Sequence, residues 1–187
     1  MKKEVDFRKS PFPLPLIIIG AGTVEKPNAS LYIWFSQFNE NPPIFAVAIK
    51  KKRYTYTLIR EMGDFSINIP TREFLEKADL IGTSTGRKID KFKEFDVTPV
   101  AGKFIKAPLI GECPINIEVK VIDEIEFPDH SMIIGEGLNT WIEEEFLKQD
   151  GKVLDIQKLE PIVVNYSDLS YHGLGEFLNF AGFSRRK

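Results

Sequence analysis

Residues 28–49 read NASLYIWFSQFNENPPIFAVAI, and the alternation within them decides how the chain folds. Ala29, Leu31, Ile33 and Phe35 point one way and Asn28, Ser30, Tyr32, Trp34 and Ser36 the other, which is the period of two of a β-strand. A half-buried strand normally turns Lys, Glu or Thr to water. Here the second face carries two aromatic rings, two serine hydroxyls and no charge. Three coverings suit such a face: a flat ligand with polar edges, a partner subunit, or a helix packed over the strand. Beyond the Pro42-Pro43 break, residues 44–49 are apolar on both faces and read as a central strand.

Working outward, residues 16–19 form a β-branched run that ends in Gly20-Ala21-Gly22 and pairs as a hairpin with the quoted strand. RYTYTLIREM at 53–62 has a helical pattern with Gly63 in the stop position, and a strand follows at 65–69. Thr71 is placed to cap a helix over 72–81, and 83–95 reads as a loop followed by a short helical piece. Ile115, Ile117, Val119 and Val121 restore the period of two, and Phe127-Pro128-Asp129-His130 reads as the turn into a return strand over 131–142. From about residue 144 the chain is charged and loop-like, with one further strand near 162–164. Short strands with intercalated helices favour a closed or nearly closed antiparallel sheet, in one domain spanning 1–187 with a loop-rich C-terminal extension.

Length and charge limit the function. The 187 residues suffice for one domain with a sizeable core. A net charge of −2, from 25 basic and 27 acidic residues, gives no overall field for nucleic acid or an anionic membrane. A lone cysteine, Cys113, allows neither an internal disulfide nor a cysteine metal cage, and reads as a small buried residue. The basic start KKEVDFRKS precedes an apolar run too short, and too broken by Pro15, for an export signal, so the expected setting is reducing and cytoplasmic. The sequons at Asn28 and Asn165 then carry no meaning.

Common chemical signatures are missing. Glu25 stands where the third glycine of a dinucleotide fingerprint belongs, and a strand follows instead of a helix. His130 and His172 have no carboxylate at metal spacing, and there is no G-x-S-x-G elbow. What remains are two places fit for an anion. Lys50-Lys51-Lys52-Arg53 with Thr55 and Thr57 lies where a buried strand meets a helix, whose first N–H groups favour phosphate. Ser84-Thr85-Gly86-Arg87-Lys88 with Lys91 is the second, and its arginine can hold phosphate by a bidentate fork. Taken alone, the first cluster reads more simply as a basic surface loop.

In order, the chain carries P-x-P near its start, PNASLYIWFS, NPPIFAVAI, RYTYTLIREMGDFSINIP, GRKIDKF, APLIGECP, PDHSMIIGE and the weaker YHGLG at 171–175. That order and spacing resemble the flavin reductase-like, FMN-binding split-barrel family, and within it the flavoredoxin branch. The resemblance implies a mainly β fold, a six-stranded Greek-key split barrel with flanking helices. It implies a homodimer with one FMN per subunit near the interface.

By position in that family, Trp34, Phe35 and Ser36 would line the isoalloxazine. Lys50, Arg53, Tyr54 and Thr55 would grip ribityl and phosphate, with Ser84, Arg87 and Lys91 in a second phosphate-facing segment. His130 would lie beside the nicotinamide of NADH or NADPH. The implied chemistry is hydride transfer from nicotinamide to flavin, with electrons then passing to a small-molecule or protein acceptor; a non-enzymatic FMN electron carrier is the alternative. No metal, nucleic acid or membrane partner is implied.

Overall fold

The computed structural model describes residues 1–4 and 9–181. Residues 5–8, part of the basic N-terminal stretch, and residues 182–187 lie outside them. A short β1 (Pro13–Pro15) leads into β2 (Ile17–Gly22), β3 (Pro27–Tyr32), β4 (Phe35–Glu40) and β5 (Pro43–Lys50). Helix α1 (Tyr54–Met62) follows, stopped by Gly63 in the left-handed region (φ 74°), where few other residues sit without strain. Next come β6 (Asp64–Ile69), α2 (Leu75–Thr83), α3 (Lys91–Glu94) and the short β7 (Pro99–Val100) and β8 (Leu109–Ile110). The long hairpin β9 (Ile115–Glu126) and β10 (His130–Ile142) completes the main sheet, and α4 (Ile156–Leu159), β11 (Val163–Asn165) and β12 (Ser170–His172) close the chain.

The main sheet is antiparallel with order β3-β2-β6-β9-β10-β5-β4. Its two edge strands, β3 and β4, are separated in sequence only by Ile33 and Trp34. The sheet therefore curls so that β3 runs on into β4, and Ala48 N–H, donating to the Trp34 carbonyl at 2.9 Å, carries the β4–β5 ladder back to the bend. Taking β3 and β4 as one bent strand leaves six strands in a Greek-key order, a split barrel.

This corrects the single strand read over 28–36. The chain bends at Ile33-Trp34 because one strand has to serve both edges of the seam. Both faces of its first half are also covered. Tyr32 joins the inner core with Ile17, Ile19, Val47, Ile49, Phe65, Ile67, Val119 and Ile133, which α1 caps through Tyr56 and Ile59. Ala29 joins an outer layer with Ile18, with Phe74, Ala78 and Ile81 around α2, and with Phe92 of α3.

Thr71 does not cap the helix after it. A 3-10 turn at Arg72–Phe74 precedes α2, and Thr71 stays extended with no side-chain cap bond. Its backbone instead bridges to Pro161, and Arg72 N–H donates to the Glu160 carbonyl at 3.1 Å, which ties this corner to the C-terminal segment. That segment carries α4 and pairs β11 with both β1 and β12 in a small sheet.

Polar side chains of β6 and β9 hold an extended strap over the barrel. Asp64 accepts from Lys106 N–H (3.1 Å) and Ala107 N–H (3.0 Å), Asn68 from Ile110 N–H (3.1 Å), and the fully buried Glu118 from Phe104 N–H (2.6 Å) and the Trp141 indole (2.8 Å). Among the described residues no helix is long and apolar enough to cross a membrane.

Candidate functional site

A cleft of about 340 Å³ opens where the barrel seam, the start of α1 and the β11–β12 hairpin meet. Leu31, Tyr32, Ile33 and Trp34 form its floor at the strand bend, with Ala48 and Lys50 of β5 beside them. Arg53, His130, and Asp79 and Thr83 of α2 also line it. Val164, Tyr166, Leu169 and Tyr171 supply the outer wall.

The seam explains the aromatic cluster. His130 begins β10 and pairs in register with Lys50, so its ring lies against Trp34 at 4.7 Å between centroids, tilted by 45°. Tyr166 meets the same indole edge-on at 5.6 Å. His130 Nδ1 lies 2.9 Å from Asp129 Oδ1, and that hydrogen bond holds the Asp129 carboxyl below its usual range. Across the cleft the Tyr171 hydroxyl donates to Asp79 at 2.6 Å; burial, and then Asp79, push its pKa up to about 12. This bond stitches the C-terminal hairpin to α2.

The anion end lies at the start of α1. Arg53 is the N-cap residue and makes no side-chain cap bond; Tyr56 N–H donates to the Arg53 carbonyl at 3.2 Å, and the N–H groups ahead of it, of Tyr54 and Thr55, are those that face an anion. Arg87 stacks over the Tyr54 ring at 4.9 Å and donates to the Thr57 hydroxyl at 3.2 Å. Gly86 makes this approach possible, because a β-carbon there would lie 2.1 Å from Asn28 Oδ1. Thr55 is buried and accepts from the Asn28 amide at 3.0 Å. Thus Lys50, Arg53, Tyr54, Thr55 and Arg87 gather around one helix end, with Ser84 half-buried at the end of α2 close by.

Three residues singled out in the sequence are placed elsewhere. Phe35 stacks on Phe45 (5.9 Å, 16°) and Ser36 is exposed, so neither side chain lines the cleft, because both follow the bend onto β4. Lys91 turns inward, where its ammonium donates to the carbonyls of Ala29 (2.8 Å) and Ile81 (2.7 Å). Burial, and then the Arg53 charge, push its pKa down to about 8.

The model of the family described as "Flavin reductase like domain" matches residues 7–173. The chain belongs to that family. It is 37% identical to the flavoredoxin of Desulfovibrio vulgaris (Miyazaki F), covering 100% of both chains with a TM-score of 0.91. With a flavoredoxin from Methanosarcina acetivorans it shares 34% identity over 98% of this chain and 97% of that one, TM-score 0.90. Among curated relatives is a ferric-chelate reductase (NAD(P)H) of Archaeoglobus fulgidus, 28% identical over 119 residues, 63% of this chain and 66% of that protein.

Membership of the flavin reductase-like family calls for a ring site and, if the ligand is phosphorylated, an anion site. Buried polar atoms test the fit. Asn28 Oδ1, the Tyr32 hydroxyl and the Trp34 indole N–H are buried with no hydrogen-bond partner among the described residues. Each such atom costs about 1–3 kcal/mol unless something satisfies it. Asn28 and Tyr32 lie on β3 and Trp34 at the bend that follows it, and Tyr32 and Trp34 line the cleft. A flat ligand with both donors and acceptors on its edges suits this set, in which the Trp34 N–H and Tyr32 hydroxyl can donate and Asn28 Oδ1 accepts.

Sequence reasoning missed Asp79, Thr83, Tyr166, Leu169 and Tyr171. The turn formers Asn165 and Asp168, on either side of Tyr166 and ahead of Tyr171, were a signal for the hairpin. Nothing local marked Asp79 and Thr83, which reach the cleft only through helix packing.

Proposed function

We propose that the cleft binds FMN and that the protein is an NAD(P)H-dependent oxidoreductase of the flavin reductase type. The observation that carries this reading is the juxtaposition of two unlike surfaces. An aromatic wall with unpartnered donors runs directly into an uncapped helix start flanked by Arg53 and Arg87. Trp34 and Tyr32 would hold the ring end. The α1 N–H groups, Arg53 and Arg87 would hold the phosphate by charge-assisted hydrogen bonds. Lys50, on the strand beside the ring, supplies positive charge where a reduced ring carries negative charge. When bound, FMN supplies the chemistry of accepting a hydride and releasing its electrons; no side chain of this chain has to act as acid or base.

His130 would orient the nicotinamide, and kinship with a ferric-chelate reductase (NAD(P)H) supports that co-substrate. The decisive experiment supplies apoprotein with FMN under anaerobic conditions and adds NADH or NADPH. Bleaching of the flavin band supports the enzyme, and an unchanged band removes it. A second reading, an FMN electron carrier, is favoured by the packing of His130 on Trp34 and its tie to Asp129, which leave its ring already engaged. Under that reading dithionite bleaches the bound flavin and nicotinamides do not.

The functional unit would be a homodimer. Ile122, Ile125 and Phe127 of the β9–β10 hairpin, with Phe38 and Trp141, are large apolar side chains left 43–66% exposed. Sedimentation at micromolar concentration tests it, with a monomer as the contrary result. The single free, buried Cys113 suits the cytoplasmic setting proposed for this protein.

A further inference from the structure

Three described non-glycine residues have positive φ, and one is of the wrong type for it. Asp96 (51°) is a residue that tolerates the left-handed region, and Glu160 (47°) ends α4. Leu169 (63°) is apolar and branched, sits in a turn, and is 57% exposed. Turn chemistry would put Gly, Asn or Asp there.

The turn around it is firmly built. Asn165 and Ser170 form the last β11–β12 pair, leaving a four-residue loop. Asn165 Oδ1 accepts from Ser167 N–H (3.2 Å) and its hydroxyl (2.7 Å), and Asp168 Oδ1 from Ser170 N–H (3.0 Å) and its hydroxyl (2.6 Å). The loop also fixes Tyr166 against Trp34. Leu169 adds little to the core, yet its side chain lines the cleft. Strained positions that do not serve packing concentrate where a ligand is held.

We infer that Leu169 is a ligand-covering residue, held in a strained conformation so that its side chain closes the cleft over the occupant beside Tyr166 and Trp34. This rests on the FMN reading and adds to it the element that shields the ring end from water.

The test uses Leu169→Gly and Leu169→Asn in the full chain, after wild-type apoprotein has been shown to bind FMN. Relief of backbone strain should leave the melting temperature of both apoproteins at or above wild type, by up to a few degrees. FMN affinity should fall about five- to tenfold, on the scale of losing a partly buried leucine contact. Reoxidation of the dithionite-reduced, FMN-loaded variants by oxygen should be several-fold faster. Melting temperatures lowered by several degrees would make Leu169 a packing residue and overturn the inference. So would unchanged affinity together with unchanged reoxidation. Failure of the wild type to bind FMN would overturn the underlying reading instead, and the two failures are distinguishable.

Discussion

Arg87→Ala probes the anion end of the cleft with the least disturbance elsewhere. Arg87 is exposed, and its contacts are one hydrogen bond to Thr57 and the face of Tyr54. Removing them should cost the fold less than about 1 kcal/mol, the scale of an exposed cation–π pair. A charge-assisted bond to a phosphate is worth about 1.5–3 kcal/mol, and exposure favours the lower end. About 1.5 kcal/mol corresponds to roughly a tenfold weaker Kd. Riboflavin has the same ring and ribityl chain without the phosphate, so its affinity should change less than about twofold. Titration of apoprotein with each ligand at fixed ionic strength, followed by flavin fluorescence, gives both numbers. Added salt should narrow the FMN difference, because the residue is solvent-exposed. An equal loss for both ligands would mean that Arg87 acts on the fold, and no loss for FMN would remove it from the site.

Glu118→Gln should cost about 2–3 kcal/mol at pH 7 in urea unfolding, since an amide sets a donor against the Phe104 or Trp141 N–H that the carboxylate now accepts. Burial pushes this carboxyl up, but the donors of Phe104, Lys103, Trp141 and Asn139 outweigh it and hold it below 4.5. Its contribution is therefore present above about pH 4.5 and lost as pH falls through the lower folded value, and a difference that persists undiminished in acid would contradict this. For Lys91 the slope has the same sign, but here burial penalises the charged form. With its pKa lowered to about 8 from 10.5, wild-type stability should rise between those pH values by up to about 3 kcal/mol, and Lys91→Met should lack that rise. Parallel pH profiles would show that the ammonium is not desolvated. His130→Ala should lower NADH turnover at least about tenfold while changing FMN affinity less than about threefold, and the reverse split would put the imidazole on the flavin.

Periodicity revealed β2, β3, β5, β6, β9 and β10 because each buries at least one face over part of its length, and Gly63, Pro42-Pro43 and the PDH turn punctuate them. It did not reveal the bend at Ile33-Trp34. Alternation continues unbroken through a residue pair that leaves one sheet edge for the other, since only closure of the barrel distinguishes them. The same bend separates Phe35 and Ser36 from the cleft. The basic cluster at Lys50 to Arg53 was legible because charge at a strand–helix junction is a local pattern. Lys91 looked alike in sequence, and its inward turn to two carbonyls depends on where α2 ends against β3. The outer wall was least visible, because Tyr166, Leu169 and Tyr171 gain meaning only when the C-terminal hairpin docks on α2 through Asp79.

The most direct measurement is the visible absorption spectrum of apoprotein titrated with FMN, first as wild type and then with Trp34→Ala and Arg53→Ala combined. The expected result is stoichiometric binding by the wild type with a perturbed flavin band, and a Kd weakened at least about a hundredfold in the double variant. A wild-type protein that leaves the spectrum of free FMN unchanged, or a double variant that binds as tightly as wild type, would contradict the assignment of this cleft as the flavin site.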